Sequence, residues 1–173
     1  MKVRRNLLIA GVAVLLLTSA FALAQDQNDS LKNRYPVIEV TAFDAPDETK
    51  FPADNVHPMM DEIVSKLKDM KKFQQVVAPG ETATGPAAPT LQLVGTVTKY
   101  EPGSRAKRYV ISMGAGKTRV VTHIKFIDKA TGKVLYESDA SGAVSWGLFG
   151  GDSKDSLSGV GKKIADITKK NFF

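Results

Sequence analysis

Residues 113–118 read MGAGKT, and the run Gly114-Ala115-Gly116-Lys117-Thr118 has the ending of a phosphate-binding loop. A complete loop reads G-x-x-x-x-G-K-[ST], with a strand before it and a helix after it whose N-terminus meets the phosphates. If Gly116 is the second glycine, the first should stand at position 111, which is Ile111. The following run, TRVVTHIKFID, is rich in β-branched residues and predicts a strand. The glycines are therefore read as a bend feeding that strand, and nucleotide binding is not expected.

Other chemistry-bearing residues are sparse. His57 and His123 are the only histidines, and cysteine is absent. Without cysteine there is no thiolate ligand, no thiol nucleophile and no disulfide. Without an H-x-H or H-x-x-x-H pair, no zinc site is expected. His57 precedes Pro58 and reads as a solvated or capping residue. His123 falls on the opposite face of its strand from Val120, Ile124 and Phe126. Ser138, Ser141 and Ser145 lie near Asp139, but no G-x-S-x-G elbow exists, and Asp139 reads as a solvated residue or a cross-strand partner. Asp44, Asp47, Glu48 and Asp54 share one loop. They could serve a cation-assisted hydrolase, but their spacing is not that of a calcium loop, and they read as a solvated acidic loop. No catalytic residue, metal or cofactor is assigned.

Two segments have compositions that invite a partner. One is Arg105, Lys107 and Arg108 with Tyr109. The other is Trp146-Gly147-Leu148-Phe149-Gly150-Gly151. Apolar side chains among glycines either fold back to close the core or form an exposed tip. The candidate interaction surface is therefore Arg105, Lys107, Arg108, Trp146, Leu148 and Phe149. It would take an envelope protein, a second copy of the chain, or an anionic membrane surface.

The elements that must carry these residues begin after a leader. Lys2, Arg4 and Arg5 precede an apolar run, Leu7 to Leu17, and Ala22-Leu23-Ala24 forms an A-x-A cleavage signature. Residues 1–24 read as a secretory signal, cleaved between Ala24 and Gln25. The apolar run is shorter than the ~20 residues of a membrane span. With no cysteine at the cleavage site, a lipid anchor is not expected, and the mature chain should be periplasmic or exported. Loss of Lys2, Arg4 and Arg5 lowers the formal net charge from +6 to +3, too little to suggest nucleic acid.

Residues 25–34 are polar and expected to be flexible. Residues 35–173 form one domain. A strand is expected in YPVIEVTAF, and a helix follows Pro58 with Met60, Ile63, Val64, Leu67 and Met70 on one stripe. FQQVV gives a short strand and TLQLVGTVTKY a long one. On the latter, Leu91, Leu93 and Val97 share a face, while Val94 and Tyr100 go to the other. Gly95 marks a bulge or a close approach. Residues 105–113 suit either strand or helix. TRVVTHIKFID and VLYESDASGAVS make a hairpin around DKATGK. A last helix, capped by Asp152 or Ser153, buries Leu157, Val160, Ile164 and Ile167, and Gly159 and Gly161 allow a close helix–sheet contact. The sum is an α+β fold: a two-layer sandwich with a mixed, mostly antiparallel sheet of about five strands under two amphipathic helices.

The stretch from Leu91 to Phe172 resembles a bacterial exported family catalogued only as a domain of unknown function, whose members are often described as lipoproteins. The resemblance rests on Gly95, Pro102-Gly103-Ser104, Arg105, Arg108, Gly114-Ala115-Gly116 and Gly147 to Gly151. It implies an exported α/β domain, and supplies no reaction, substrate or catalytic residue. The expected role is a non-catalytic envelope protein that binds a partner or itself, with peripheral membrane binding as the alternative.

Overall fold

The structure is a computed structural model that describes residues 31–102, 118–143 and 154–173, the side chains of 154–156 excepted. Its elements, in chain order, are β1 (Val37–Val40), two short 3-10 turns (Asp47–Thr49 and Ala53–Asn55), α1 (Val56–Asp69), β2 (Gln75–Val77), β3 (Thr90–Glu101), β4 (Arg119–Asp128), β5 (Val134–Ala143) and α2 (Lys154–Phe172). The strands form one sheet in the order β2-β1-β3-β4-β5. β1 runs parallel to both β2 and β3. The long ladders β3–β4 and β4–β5 are antiparallel. This is the expected α+β sandwich.

Alternation explains the layering. Along β4, Val120, Thr122, Ile124, Phe126 and Asp128 are buried and the residues between them are not. A period of two places those five on one face, beneath the helices. α1 contributes Met59, Met60, Ile63, Val64 and Leu67 to the same core, and α2 contributes Leu157, Val160, Ile164 and Ile167. The polar residues this layer buries are satisfied locally. Thr168 Oγ1 donates to the Ile164 carbonyl and Asn171 Nδ2 to the Ile167 carbonyl, both at 2.8 Å.

Gly159 brings α2 close to the sheet, as expected, whereas Gly161 meets the other helix, α1, and not the sheet. A Cβ on Gly159 would lie 3.0 Å from Gly142 Cα in β5, and one on Gly161 would lie 2.9 Å from the Glu62 carbonyl oxygen in α1. Gly95 is likewise a close approach. The Phe43 ring occupies the place of its missing side chain, 2.5 Å from where a Cβ would stand.

One facing assignment is corrected. The β3–β4 register shifts between Val97 and Lys99. A bulge reverses the alternation beyond it. Tyr100 therefore stands opposite the buried Val120 and packs edge-on against Phe51, with ring centroids 5.4 Å apart. It belongs to the core side rather than to the open face.

The hairpin turn is built by Asp128. Its carboxylate accepts from the Ala130 and Thr131 N–H groups at 3.0 Å, and Gly132 takes φ +70°. Near the start of the domain, Leu31 packs against the core and the Asn33 N–H donates to the Phe172 carbonyl at 2.7 Å.

Candidate interaction surface

Arg105, Lys107, Arg108, Trp146, Leu148 and Phe149 all lie outside the described residues, as do 105–113 and the capping positions Asp152 and Ser153. Their attachment points are described. β3 ends at Glu101 and β4 begins at Arg119, registered with each other, and Arg119 pairs with Ala143, the last residue of β5. Both segments thus leave the sheet from one end. Beyond Thr118 the chain enters β4 and not a helix, so the element a phosphate loop requires after its lysine is a strand here.

The sheet face away from the helices carries the polar residues. His123 and Asp139 are registered across β4 and β5, and His123 Nδ1 lies 2.9 Å from Asp139 Oδ1. Glu137 approaches the other ring nitrogen at 3.8 Å and Lys125 Nζ at 3.7 Å. Of the two readings for Asp139, it is thus the cross-strand partner. His57 is exposed and sits one turn before Asp61, at 3.2 Å. Asp44, Asp47, Glu48 and Asp54 are exposed, spread along the strand extension and the two 3-10 turns. Among the described residues no three His, Cys, Asp or Glu side chains are grouped to hold a metal ion. No described helix is long and apolar enough to cross a membrane.

Part of the open face is covered by the chain itself. The Gln75 side chain donates to Thr84 Oγ1 at 3.0 Å and accepts from the Thr84 N–H at 3.2 Å, holding the 78–89 excursion against β2. Val37 and Val77, whose side chains alternate with the core-facing ones, are nonetheless buried. At the other side of the sheet β5 has β4 on one edge and no described strand on the other. It is ten residues long. Val134 at its start is 43% exposed, the one large apolar side chain so exposed among the described residues.

A cavity of about 470 Å³ opens at the far end of the sheet, lined by Arg34, Ala88, Thr90, Asp128, Lys129 and Thr131. Beside it the Tyr35 hydroxyl donates to Asp128 Oδ2 at 2.8 Å. Burial, and then this hydrogen bond, push the Tyr35 hydroxyl up to about 12. The same bond, and then the turn N–H groups, hold the Asp128 carboxyl below its ordinary value. Nothing in the sequence pattern links positions 35 and 128. The pairing exists because β1 and β4 flank β3.

Among the solved structures similar to this chain in fold are two of one protein. The PelC dodecamer from Paraburkholderia phytofirmans is 17% identical, with a TM-score of 0.54 over 81% of this chain and 90% of that chain. A single-residue variant of that dodecamer is also 17% identical, with a TM-score of 0.52 over 79% of this chain and 86% of that one. No curated protein matches the sequence. A family model described as "Domain of unknown function (DUF4410)" matches residues 19–146. The match takes in the first half of the domain, beyond the Leu91–Phe172 stretch that carried the resemblance, and it stops at Trp146. Since the model spans most of the sequence and the fold agrees with the class expected from it, this chain belongs to the DUF4410 family.

Proposed function

We propose that the chain is an exported cell-envelope domain whose role is assembly rather than catalysis, and that it assembles with copies of itself. The observation that carries this reading is β5, a ten-residue edge with an exposed apolar start and no described strand beyond it. Long open edges pair with other chains unless they are blunted. The opposite edge, β2, is three residues long and clipped by the 78–89 excursion, so it offers little ladder. That the same fold builds a dodecamer in PelC supports self-association here. Residues 144–151 continue directly from β5, so Trp146, Leu148 and Phe149 are adjacent in sequence to the proposed edge, with Arg105, Lys107 and Arg108 leaving from the same end of the sheet. The leader at 1–24 supports export.

The test is the mass of the purified chain in solution, paired with photo-crosslinking from position 148 in cells. The expected result is a discrete multimer and a crosslink to the chain itself. Val134→Lys or Phe149→Ala should lower the mass while leaving the circular dichroism unchanged. A monomer at every concentration with no crosslink overturns the reading. A crosslink to one other protein replaces self-assembly with hetero-assembly.

A further inference from the structure

The strand proposed to make the contact between copies, β5, carries charge. Glu137 and Asp139 point to the face away from the helices, and so do Lys125 and His123, the residues of β4 registered with them. The four side chains form a block two strands wide. His123 Nδ1 lies 2.9 Å from Asp139 Oδ1, and the other ring nitrogen lies 3.8 Å from Glu137 Oε2, which Lys125 Nζ approaches at 3.7 Å. The imidazole thus stands between the two carboxylates of the edge strand. With His123 neutral, two carboxylates face one ammonium, and the block has one negative charge in excess. With His123 protonated, the block is balanced.

The other charged groups described on this face leave that count unchanged. On the side of His123 away from β5 stands Thr96 of β3, and Asp44 is bridged to Thr96 beyond it. Lys99, registered with Val121, is paired with Glu101 at 2.7 Å. Arg119 lies at the start of β4, registered with Glu101. Asp44 and Arg119 are opposite in sign, as are Lys99 and Glu101, so these four sum to zero. Glu39 is held by Lys129 near the hairpin turn. Neither helix adds a group, because α1 and α2 pack on the other face.

Edge pairing brings two such blocks together. β2 offers only three residues, so the edge that β5 meets in a second copy is that copy's β5. Such a contact is isologous and repeats each off-axis meeting twice. Side chains on one face of neighbouring strands stand about 5–8 Å apart. At that spacing in water, two like charges weaken association about two- to fourfold, and two such meetings multiply to roughly five- to fifteenfold. Histidine is the side chain whose charge ordinarily changes between pH 5 and 8. We propose that proton uptake by His123 gates the β5 contact, so that copies join more tightly at pH 6 than at pH 8. The gate rests on the assembly reading and adds its regulation. By linkage, the joined state holds the His123 proton more firmly than the separate chains do, so joining takes up protons.

The chain has two histidines, so two variants assign any change in this range. The measurement is the association constant of the purified chain, by sedimentation equilibrium at pH 6 and pH 8 in low salt. It should fall roughly five- to fifteenfold from pH 6 to pH 8, and the difference should shrink in high salt. His57→Gln, at the exposed start of α1, should keep the difference. His123→Gln, uncharged at both values, should lose it and associate as the unaltered chain does at pH 8. Asp139→Asn balances the block when His123 is neutral and leaves it positive when His123 is protonated. That variant should therefore associate at pH 8 about as tightly as the unaltered chain at pH 6, and its dependence on pH should change sign. Lost packing would not reverse the sign. A multimer with one association constant at both values overturns the gate and leaves the assembly reading standing, and so does a His123→Gln protein that keeps the full difference. A chain that is monomeric at every concentration and at both values removes the assembly reading, and the gate with it.

Discussion

Tyr35 and Asp128 are 93 residues apart and share one hydrogen bond, and their titrations are opposite in sign. Asp128 has its carboxyl lowered in the fold, so its contribution is complete above the ordinary carboxylate value near 4 and is lost as the pH falls through the lowered one. Tyr35 has its hydroxyl raised to about 12, so its contribution is complete below the ordinary value near 10 and is lost as the pH rises toward 12. Tyr35→Phe removes the bond and leaves the ring. The stability gap between the two proteins in urea unfolding should be widest between about pH 5 and 9 and should narrow toward both pH 2 and pH 12. A gap independent of pH would mean that Phe at 35 disturbs packing instead. Gly95 makes a second prediction at this scale. The Phe43 ring fills its missing side chain, so Gly95→Ala must displace a buried aromatic and should cost on the order of 1–3 kcal/mol in the same measurement. Neither residue declares its role in the sequence. Gly95 announces a close approach without naming Phe43, and Tyr35 reads as the first residue of a strand.

At the scale of elements, local pattern carried the most where spacing alone decides the face. The β4–β5 hairpin, the apolar stripe of α1 and the buried face of α2 follow from periods of 2 and 3.6. Tyr100 does not follow, because a single-residue register shift after Val97 inverts the period, and a shift is set by pairing with β4 rather than by β3 itself. The candidate interaction residues at 105–108 and 146–149 were legible by composition alone, and they lie outside the described residues. The glycines of α2 separate two opposing effects. Glycine in a helix costs about 1 kcal/mol relative to alanine, so Gly→Ala gains that amount where there is room. At Gly159 the nearest atom, Gly142 Cα, stands 3.0 Å from the new Cβ and a small shift relieves it, so Gly159→Ala should change stability little. At Gly161 the new Cβ would press on the α1 backbone at 2.9, 3.1 and 3.2 Å, and a helix backbone cannot yield as a side chain does. Gly161→Ala should therefore destabilise despite its propensity, and the sign of the difference between the two variants in thermal unfolding decides the point.

Across the whole molecule, the core is closed at the end of the sheet where α2 finishes. Phe172 is 1% exposed, lies 5.1 Å from the Phe126 ring and 6.3 Å from the Tyr35 ring, and its carbonyl accepts the Asn33 N–H. One residue near the end of α2 thus joins the last helix, the middle of the sheet and the segment entering the domain. Phe172→Ala should cost about 3–5 kcal/mol, a large part of the 5–15 kcal/mol that holds a typical domain. The loss should be distributed unevenly. If this end is one cooperative unit, amide protection should fall together in residues 31–36, in the last two turns of α2 and in the β4–β5 turn, while the middle of β3 and β4 keeps most of its own. A variant that loses protection uniformly, in the middle of β3 and β4 as much as at this end, would show that the contacts of Phe172 are shared by the whole core and that the end does not open as a unit of its own.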